Sequence, residues 1–396
     1  MKKIVLLSLS LFVCANLNSQ SFSKKYIMAY HYCDNTNCAN PATHTIQLVE
    51  SNDGVIWTSM PGFVSYQGSV PDPIIRGDKC YIYTPGKVKR YNRSTDLWET
   101  NTAMVQIKDY LGNMVSYVDP SAYVDENGLI NLFFLNSTGI IGDPAQCQTP
   151  PCIRNFDSAI EVPGSDGQEF QLLDGHRISF TVEGNFGPTD SDVFNDGTNF
   201  YQYVSQGTTT LVYNSSTLNG DYLPLTSLPT GNQLTNNAGI PCGMFLAVED
   251  MYYSYGHGNN SGQTEIRLAK HNDFNSQPSY NAIITSTSSG LASTFSVASP
   301  GICDNTFLLQ GIDQHLINFP EINLSPNPVD ELLEINHNLN TEFKIKIYDF
   351  TGLLIEEVTN HHPSNIKIPT IHYKSGFYFV SFQNDNQSFV KRFVKK

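Results

Sequence analysis

Between Tyr26 and Asp313 the apolar positions either alternate with polar ones or cluster in runs of four to eight, separated by Gly, Asn, Asp and Pro. A period of two, with turn residues between short runs, predicts strands, and almost nowhere does a 3.6-residue period predict a helix. One unit recurs: an acid or a Pro pair opens a strand, a tight turn follows, and an aromatic strand returns. The copies are Asp72-Pro73-Ile74-Ile75 with Cys80-Tyr81-Ile82-Tyr83, then Asp119-Pro120-Ser121-Ala122-Tyr123 with Ile130 to Leu135. Next come Asp190-Ser191-Asp192-Val193-Phe194 with Phe200-Tyr201-Gln202-Tyr203, and Ile240-Pro241-Cys242-Gly243 with Met251-Tyr252-Tyr253. A weaker fifth copy is Ser299-Pro300-Gly301-Ile302-Cys303 with Phe307-Leu308-Leu309.

Antiparallel repeats at spacings of about 45 to 70 residues predict an all-β fold, a five-bladed β-propeller over 22–313. Tyr26 to Trp57 is expected to supply outer strands to the blade begun near Ser299, closing the ring. Either Tyr26–Tyr30 or Thr306–Leu309 could be that blade's second strand. Ser51-Asn52-Asp53-Gly54-Val55-Ile56-Trp57 and Ser165-Asp166-Gly167-Gln168-Glu169-Phe170, with Ser94 to Trp98 as a degenerate version, resemble the Ser-x-Asp-Gly-x-x-Trp turns of propeller glycosidases and sialidases. Connectivity puts these turns on the lower face, as scaffold. The opening acids then lie on the upper face, with His31, Tyr32, Thr84 to Lys87, Asn136 to Thr138, Ser205 and His257. The long Asn136–Asp157 loop also belongs to this rim, as does the crossover carrying Glu183.

The chain opens with Met1-Lys2-Lys3, an apolar run Ile4 to Val13, and Cys14 to Gln20. A basic start, about ten apolar residues and a small residue near the cut describe a signal peptide over 1–19. That run is shorter than the roughly 20 residues a membrane helix needs, and no later segment is apolar enough to be one. A lipoprotein reading through Cys14 stays open, although Phe12-Val13 is a poor run-up to lipidation. Loss of Lys2 and Lys3 takes the formal charge from −14 to −16. From Phe319 onward eight Lys/Arg face nine Asp/Glu, so nearly all of the acidity sits in the propeller region. Such a body repels nucleic acid and anionic membranes.

Seven of the eight cysteines lie beyond the signal peptide. In an exported chain Cys33 and Cys38 are expected to pair, as are Cys147 and Cys152, each closing a short polar loop worth roughly 2 kcal/mol. Cys80, Cys242 and Cys303 remain, and an odd number leaves at least one unpaired. No Cys-x-x-Cys, nucleophile triad or phosphate loop is present, and no metal or cofactor is expected. Calcium in a propeller channel is left open.

The end of the chain reads Leu324-Ser325-Pro326-Asn327-Pro328-Val329, Ile345-Lys346-Ile347-Tyr348-Asp349 with Gly352, Ser375-Gly376-Phe377-Tyr378, and Phe389 to Lys396. A Pro-Asn-Pro opening, an Ile-Tyr-Asp-x-x-Gly hairpin, a Gly-x-Tyr strand and a basic end resemble the C-terminal sorting domain of type IX secretion cargo. The resemblance implies a small β-sandwich over 323–396 after a linker at 314–322. It also implies the type IX translocon as partner, secretion or surface attachment as destination, and removal of the domain on export.

Asp119-Pro120-Ser121-Ala122-Tyr123-Val124-Asp125-Glu126-Asn127-Gly128 and Pro71-Asp72-Pro73-Ile74-Ile75-Arg76 resemble stretches of family 43-type glycoside hydrolases. That resemblance implies Asp72 as general base and Asp119 as the group tuning the acid, with a Glu as general acid. Inverting hydrolysis needs an acid and a base roughly 6.5 to 9.5 Å apart. The family's Glu-Gly-Pro is missing from its place at Thr189-Asp190-Ser191-Asp192, which leaves Asp192 or the out-of-register Glu183 as acid. His31, Tyr83, Asp190 and His257 are expected around a carbohydrate ligand. Two other readings stand beside hydrolysis: a non-catalytic propeller binding glycan or protein, and acids that merely cap backbone amides in the channel.

Overall fold

The computed structural model describes residues 22–225, 232–235, 238–306, 322–337, 343–349, 353–360, 365–383 and 388–396. The expected signal peptide and all of the linker except Ile322 lie outside them. The chain divides into two compact units, Met1–Leu308 and Leu309–Lys396.

Among its described residues the first unit is built of strands, apart from a short 3-10 turn at Pro41–Thr43 and a single helical position at Thr306. Five sheets follow one another, antiparallel throughout except where Gln106–Lys108 lies parallel to Glu169–Leu172. Sheet I begins with Asp72–Arg76 and runs through Lys79–Thr84 and Lys87–Asn92 to Leu97–Trp98. Sheet II orders Tyr117–Val124, Ile130–Asn136, Cys152–Glu161 and Glu169–Leu172, and gains Gln106–Lys108 and Ile178–Val182. Sheet III starts at Thr189–Asn195 and continues through Phe200–Gln206 and Thr209–Ser215, and sheet IV runs from Gly239–Leu246 through Met251–Asn260 and Gln263–His271 to Asn281–Ile284. Sheet V takes its first strand, Phe295–Asp304, from the end of the unit and its others, Tyr26–Asp34, Thr45–Ser51 and Thr58–Ser59, from the beginning. Its second strand is therefore Tyr26–Asp34, paired Tyr26↔Asp304 through Asp34↔Phe295.

The first strands touch in the order I, II, III, IV, V, and the first strand of V touches that of I. Each gap between successive sheets is filled by its own apolar cluster. Tyr81, Tyr83 and Val88 pack on Leu132, Phe134 and Phe170 between I and II. Ile27, Ala29 and Leu48 pack on Ile75, Cys80 and Ile82 between V and I. Second strands covered on both faces lose the polar alternation of a half-exposed strand. That is why Tyr-Ile-Met-Ala-Tyr and Ile-Asn-Leu-Phe-Phe-Leu read as nearly continuous apolar runs.

The Asp-Gly turns join these gaps. Tyr81 and Tyr83 donate to Asp166 Oδ1 at 2.8 Å and Gly167 O at 3.1 Å, and Tyr255 donates to Gly54 O at 2.8 Å. A Cβ on Gly167 would meet the Tyr83 hydroxyl oxygen, and one on Gly54 would stand 2.7 Å from that of Tyr255. Both glycines also have positive φ, 76° and 69°, a region L side chains rarely adopt. Glycine here serves contact between sheets.

The second unit has a three-stranded sheet (Ile322–Ser325, Leu332–His337, Asn365–Pro369) and a four-stranded sheet (Leu354–Asn360, Phe343–Asp349, Gly376–Gln383, Ser388–Lys395). Val329, Leu333, Ile335 and Ile368 pack against Ile345, Ile347, Val380 and Phe393, a two-layer core. Asn327 Oδ1 accepts from Val394 N at 2.9 Å, so the Pro-Asn-Pro segment is tied to the last strand. Asp349 Oδ1 accepts from Leu353 N at 3.0 Å, which gives the Asp of Ile-Tyr-Asp its place in the hairpin.

Candidate functional site

The first strand of each sheet is entered through one residue with positive φ: Val70 (46°), Asp119 (55°), Asp190 (43°), Ile240 (47°) and Ser299 (54°). Four of these five precede Pro, and the ladder shifts register at the bulge in sheets II to V. Positive φ is costly for any L residue and more so for β-branched Val70 and Ile240, so its recurrence marks a feature the fold enforces. Two tiers follow. The outer holds Val70, Asp119, Asp190, Ile240 and Ser299; two residues further in stand Asp72, Ser121, Asp192, Cys242 and Gly301. This corrects the sequence register. Val70-Pro71, not Asp72-Pro73, is the counterpart of Asp119-Pro120.

The inner tier hydrogen-bonds from sheet to sheet. Asp72 Oδ2 accepts from Ala122 N at 2.6 Å. Ser121 Oγ accepts from Val193 N at 3.0 Å and donates to Asp192 Oδ1 at 3.1 Å, and Asp192 Oδ2 accepts from Gly243 N at 2.7 Å. Among the described residues no such bond joins IV to V, where the inner residue is Cys242, and between V and I Pro73 has no N–H to offer and the inner residue is Gly301. A Cβ on Gly301 would stand 2.5 Å from both Asp72 Oδ1 and Pro71 O. Asp72 and Asp192 are buried. Burial, and then the charge of Asp192, hold Asp72 well above the usual carboxylate range. Burial pushes Asp192 up to about 6 against the pull of the Gly243, Ser121 and Val193 donors.

In the outer tier Asp119 and Asp190 face each other as half-buried groups. Asp119 Oδ2 accepts from Asp190 N at 3.3 Å, and the two carboxyls hydrogen-bond to one another. Burial and then the Asp190 charge raise Asp119 well above its ordinary value, and burial pushes Asp190 up to about 6. Thr189 Oγ1 also donates to Asp190 Oδ2 at 2.7 Å. Two carboxyls in this arrangement share a proton.

A third acid acts on both: the charge of Asp143 raises each of them. Asp143 belongs to the long loop, which the Cys147–Cys152 disulfide staples. The loop is zipped to the next crossover by Cys147 N to Asn185 O and Gly187 N to Ala145 O, both 2.8 Å. Glu183, on that crossover, is exposed and is not among the groups acting on Asp119 or Asp190.

The other expected site residues serve the joints. Tyr83, expected around the ligand, is fully buried with its hydroxyl on the Asp166-Gly167 turn. His31 Nδ1 accepts from Val70 N at 3.3 Å, His257 Nδ1 from Ser299 N at 3.4 Å, and Ser205 Oγ from Ile240 N at 3.2 Å. Each takes the amide of an outer-tier residue in the next sheet. Burial lowers His31 well below the usual imidazole range and pushes His257 down to about 4. His44, not singled out in the sequence, stacks on His31 with ring centroids 4.0 Å apart. Its Nε2 donates to Cys38 O at 2.9 Å, and its Nδ1 accepts from the Ser69 hydroxyl at 2.8 Å.

His31, Cys33 and His44 bring ligand atoms within 4.8 Å of one another. The sulfur, however, is bonded to Cys38, and metal coordination needs a thiolate. Cys80, Cys242 and Cys303 are buried free thiols. The sequence reading also missed a dyad: His176 Nδ1 lies 2.6 Å from Oδ1 of buried Asp157. The two residues stand far apart in sequence and in no motif.

Comparison with known proteins identifies the end of the chain. Residues 323–396 match the secretion system C-terminal sorting domain. Among curated proteins none matches. Solved structures similar to the chain include an endo-1,4-β-xylanase of Bacteroides thetaiotaomicron (10% identity, TM-score 0.42, covering 60% of this chain and 87% of that one). Others are a mutant α-L-arabinanase of Cellvibrio cellulosa (12%, 0.41, 65% and 92%) and a family 43 arabinoxylan arabinofuranohydrolase of Bacillus subtilis (13%, 0.40, 88% and 86%). No helix among the described residues is long and apolar enough to cross a membrane. With a type IX sorting domain over 323–396, the protein is secretion cargo, released or attached at the cell surface.

Proposed function

We propose that the five sheets form a closed five-bladed propeller, and that its outer tier binds extracellular carbohydrate without cleaving it. The observation that carries the non-catalytic half is Val70. It stands in sheet I where sheets II and III present Asp119 and Asp190, so that position has no carboxylate to activate water. Asp72, which the family resemblance would make the base, lies one tier deeper with Oδ2 on the Ala122 amide and Gly301 against Oδ1. Asp119 and Asp190 share a hydrogen bond, whereas an inverting pair stands roughly 6.5 to 9.5 Å apart with a water between. The carbohydrate half rests on the Asp119 to Gly128 resemblance and on the half-buried carboxyl acceptors of the outer tier.

A second reading is hydrolysis with Asp190 as general acid. It is favoured by the burial that pushes that carboxyl up to about 6, within working range for proton donation. One experiment separates the two. The mature chain and its Asp119→Asn/Asp190→Asn form are tested on a panel of soluble polysaccharides and aryl glycosides, for retention in affinity gels and for released reducing sugar. Retention without product, weakened at least tenfold in the double variant, is expected. Product formation abolished by Asp190→Asn would restore the hydrolase, and no retention on any glycan would sink the carbohydrate reading.

A further inference from the structure

Three cysteines stand outside the two short stapled loops, and they fall in two different joints. Cys242 belongs to the cluster between sheets IV and V. Cys80 and Cys303 both belong to the cluster between V and I, and both are buried, 0% and 8% exposed. At that joint the last strand of the first unit, Phe295–Asp304, meets Asp72–Arg76, and the inner residue is a glycine facing Pro73.

Register brings the two thiols to the same place. Along the last strand Ile302 packs toward sheet IV, so Gly301 and Cys303 turn the other way, toward sheet I. A Cβ on Gly301 would stand 2.9 Å from Asp72 Cα. The missing side chain thus lets the two backbones approach closely. Two residues on, about 7 Å further along, Cys303 comes level with Ile74 and Ile75, and the three line one cavity. Cys80 lies directly opposite Ile75 in sheet I, so both side chains leave that sheet on one face, the face that packs on Cys303. Burial holds the Cys303 thiol well above its ordinary value, and Cys80 comes first among the charges that add to this.

We infer that in the exported chain Cys80 and Cys303 are joined in a third disulfide, which ties the last strand of the first unit covalently to sheet I. Its oxidant is another disulfide outside the cytoplasm. One thiol of the pair gives up its proton and attacks that disulfide, forming a mixed disulfide and releasing one carrier thiolate. The second, also deprotonated, displaces the other carrier thiolate. Two electrons pass to the carrier, which leaves as two thiols with the two protons. The exchange takes place before the joint shuts, because both sulfurs are buried afterwards. Cys242, in the neighbouring cluster, stays a thiol and accounts for the odd number. Cys80 and Cys303 bracket sheets II, III and IV, so the bond constrains the unfolded chain over a far longer loop than either short staple does. It holds whatever the outer tier binds.

The test uses the full mature chain and needs no variant. The chain is folded in a buffer of oxidised and reduced glutathione, unfolded in guanidinium chloride, and titrated with a chromogenic disulfide for free thiols. One thiol is expected, against the three left by the two short loops alone. Peptide mapping without reduction should join the peptide of Cys80 to that of Cys303 and find Cys242 alkylated. Two variants check the count: Cys303→Ser should raise it to two, and Cys242→Ser should lower it to zero. Three thiols in the natural chain, a crosslink from Cys242 to either cysteine, or a crosslink from a short-loop cysteine to Cys80 or Cys303 would overturn the proposal.

Discussion

Gly301 and Pro73 form a matched pair of omissions. Asp72, Ser121 and Asp192 each find a backbone N–H in the next sheet, and where the next sheet offers Pro73 the side chain is missing. Adding one methyl at Gly301 would press on Pro71 O and the Asp72 backbone as well as on Asp72 Oδ1, and backbone cannot swing aside. Gly301→Ala is therefore expected to cost about 2 to 3 kcal/mol, read as a lower urea midpoint at an unchanged slope. An unchanged midpoint would mean that the joint between V and I is looser than its geometry. The buried acids make a prediction of the opposite kind, about pH. Asp192 titrates near 6 in the folded chain and near 3.9 unfolded. Its stabilising contribution is then complete below about pH 4 and lost as pH rises through about 6. His257, pushed down to about 4, works the other way: its contribution is present above about 6.5 and lost as pH falls. Asp192→Asn keeps an oxygen for the Gly243 amide and removes the titration. Between pH 4 and 7 its unfolding free energy should therefore fall less than that of the natural chain, by on the order of 2 kcal/mol. Parallel curves from denaturant titrations across that range would refute the assignment.

Strands and turns were legible in the sequence because their causes are local. The aromatic second strands, the Asp-Gly turns and the start of sheet V all follow from period and turn chemistry within a dozen residues. The same holds for Asp349 in the sorting domain, which acts on Leu353 a turn away, whereas Asn327 reaches Val394 in the last strand. Register was harder. Asp72-Pro73 and Asp119-Pro120 look alike as text, yet the residue that sets the phase is the one with positive φ, and Val70 and Ile240 give no hint of that conformation. The clue lay in Ile240-Pro241 and Ser299-Pro300, which share a phase with Val70-Pro71. What the acids do was least legible, because each partner lies on the next sheet, some 50 to 70 residues away: Asp72 with the Ala122 amide, Asp119 with Asp190. For Asp72 and Asp192, capping of backbone amides, one of the readings open at the sequence level, describes the contacts they make.

At the scale of the molecule, the first unit depends on its own beginning. Tyr26–Asp34 pairs on one side with Phe295–Asp304 and on the other with Thr45–Ser51. Its Ile27 and Ala29 reach the cluster shared with sheet I, while Met28 and Tyr30 reach the one shared with sheet IV. Removing this strand would strip the partner from Phe295–Asp304 and open two clusters at once, so no partly folded remainder with four intact joints is expected to survive. The second unit has a separate core and contributes nothing to those five clusters. Two truncations should therefore behave oppositely. A chain starting at Thr45 should lose its cooperative thermal transition and its near-ultraviolet circular dichroism, since five buried apolar positions leave with the strand, Ile27 and Met28 alone each worth about 1.5 to 3 kcal/mol. A chain ending at Leu308 should keep the transition within about 3 °C of the full-length value. If the shorter N-terminus melted as sharply as the natural one, the ring would not be closed by this strand. If loss of the sorting domain lowered the transition by ten degrees or more, the two cores would not be independent, and removal of that domain during export would be expected to destabilise the protein it delivers.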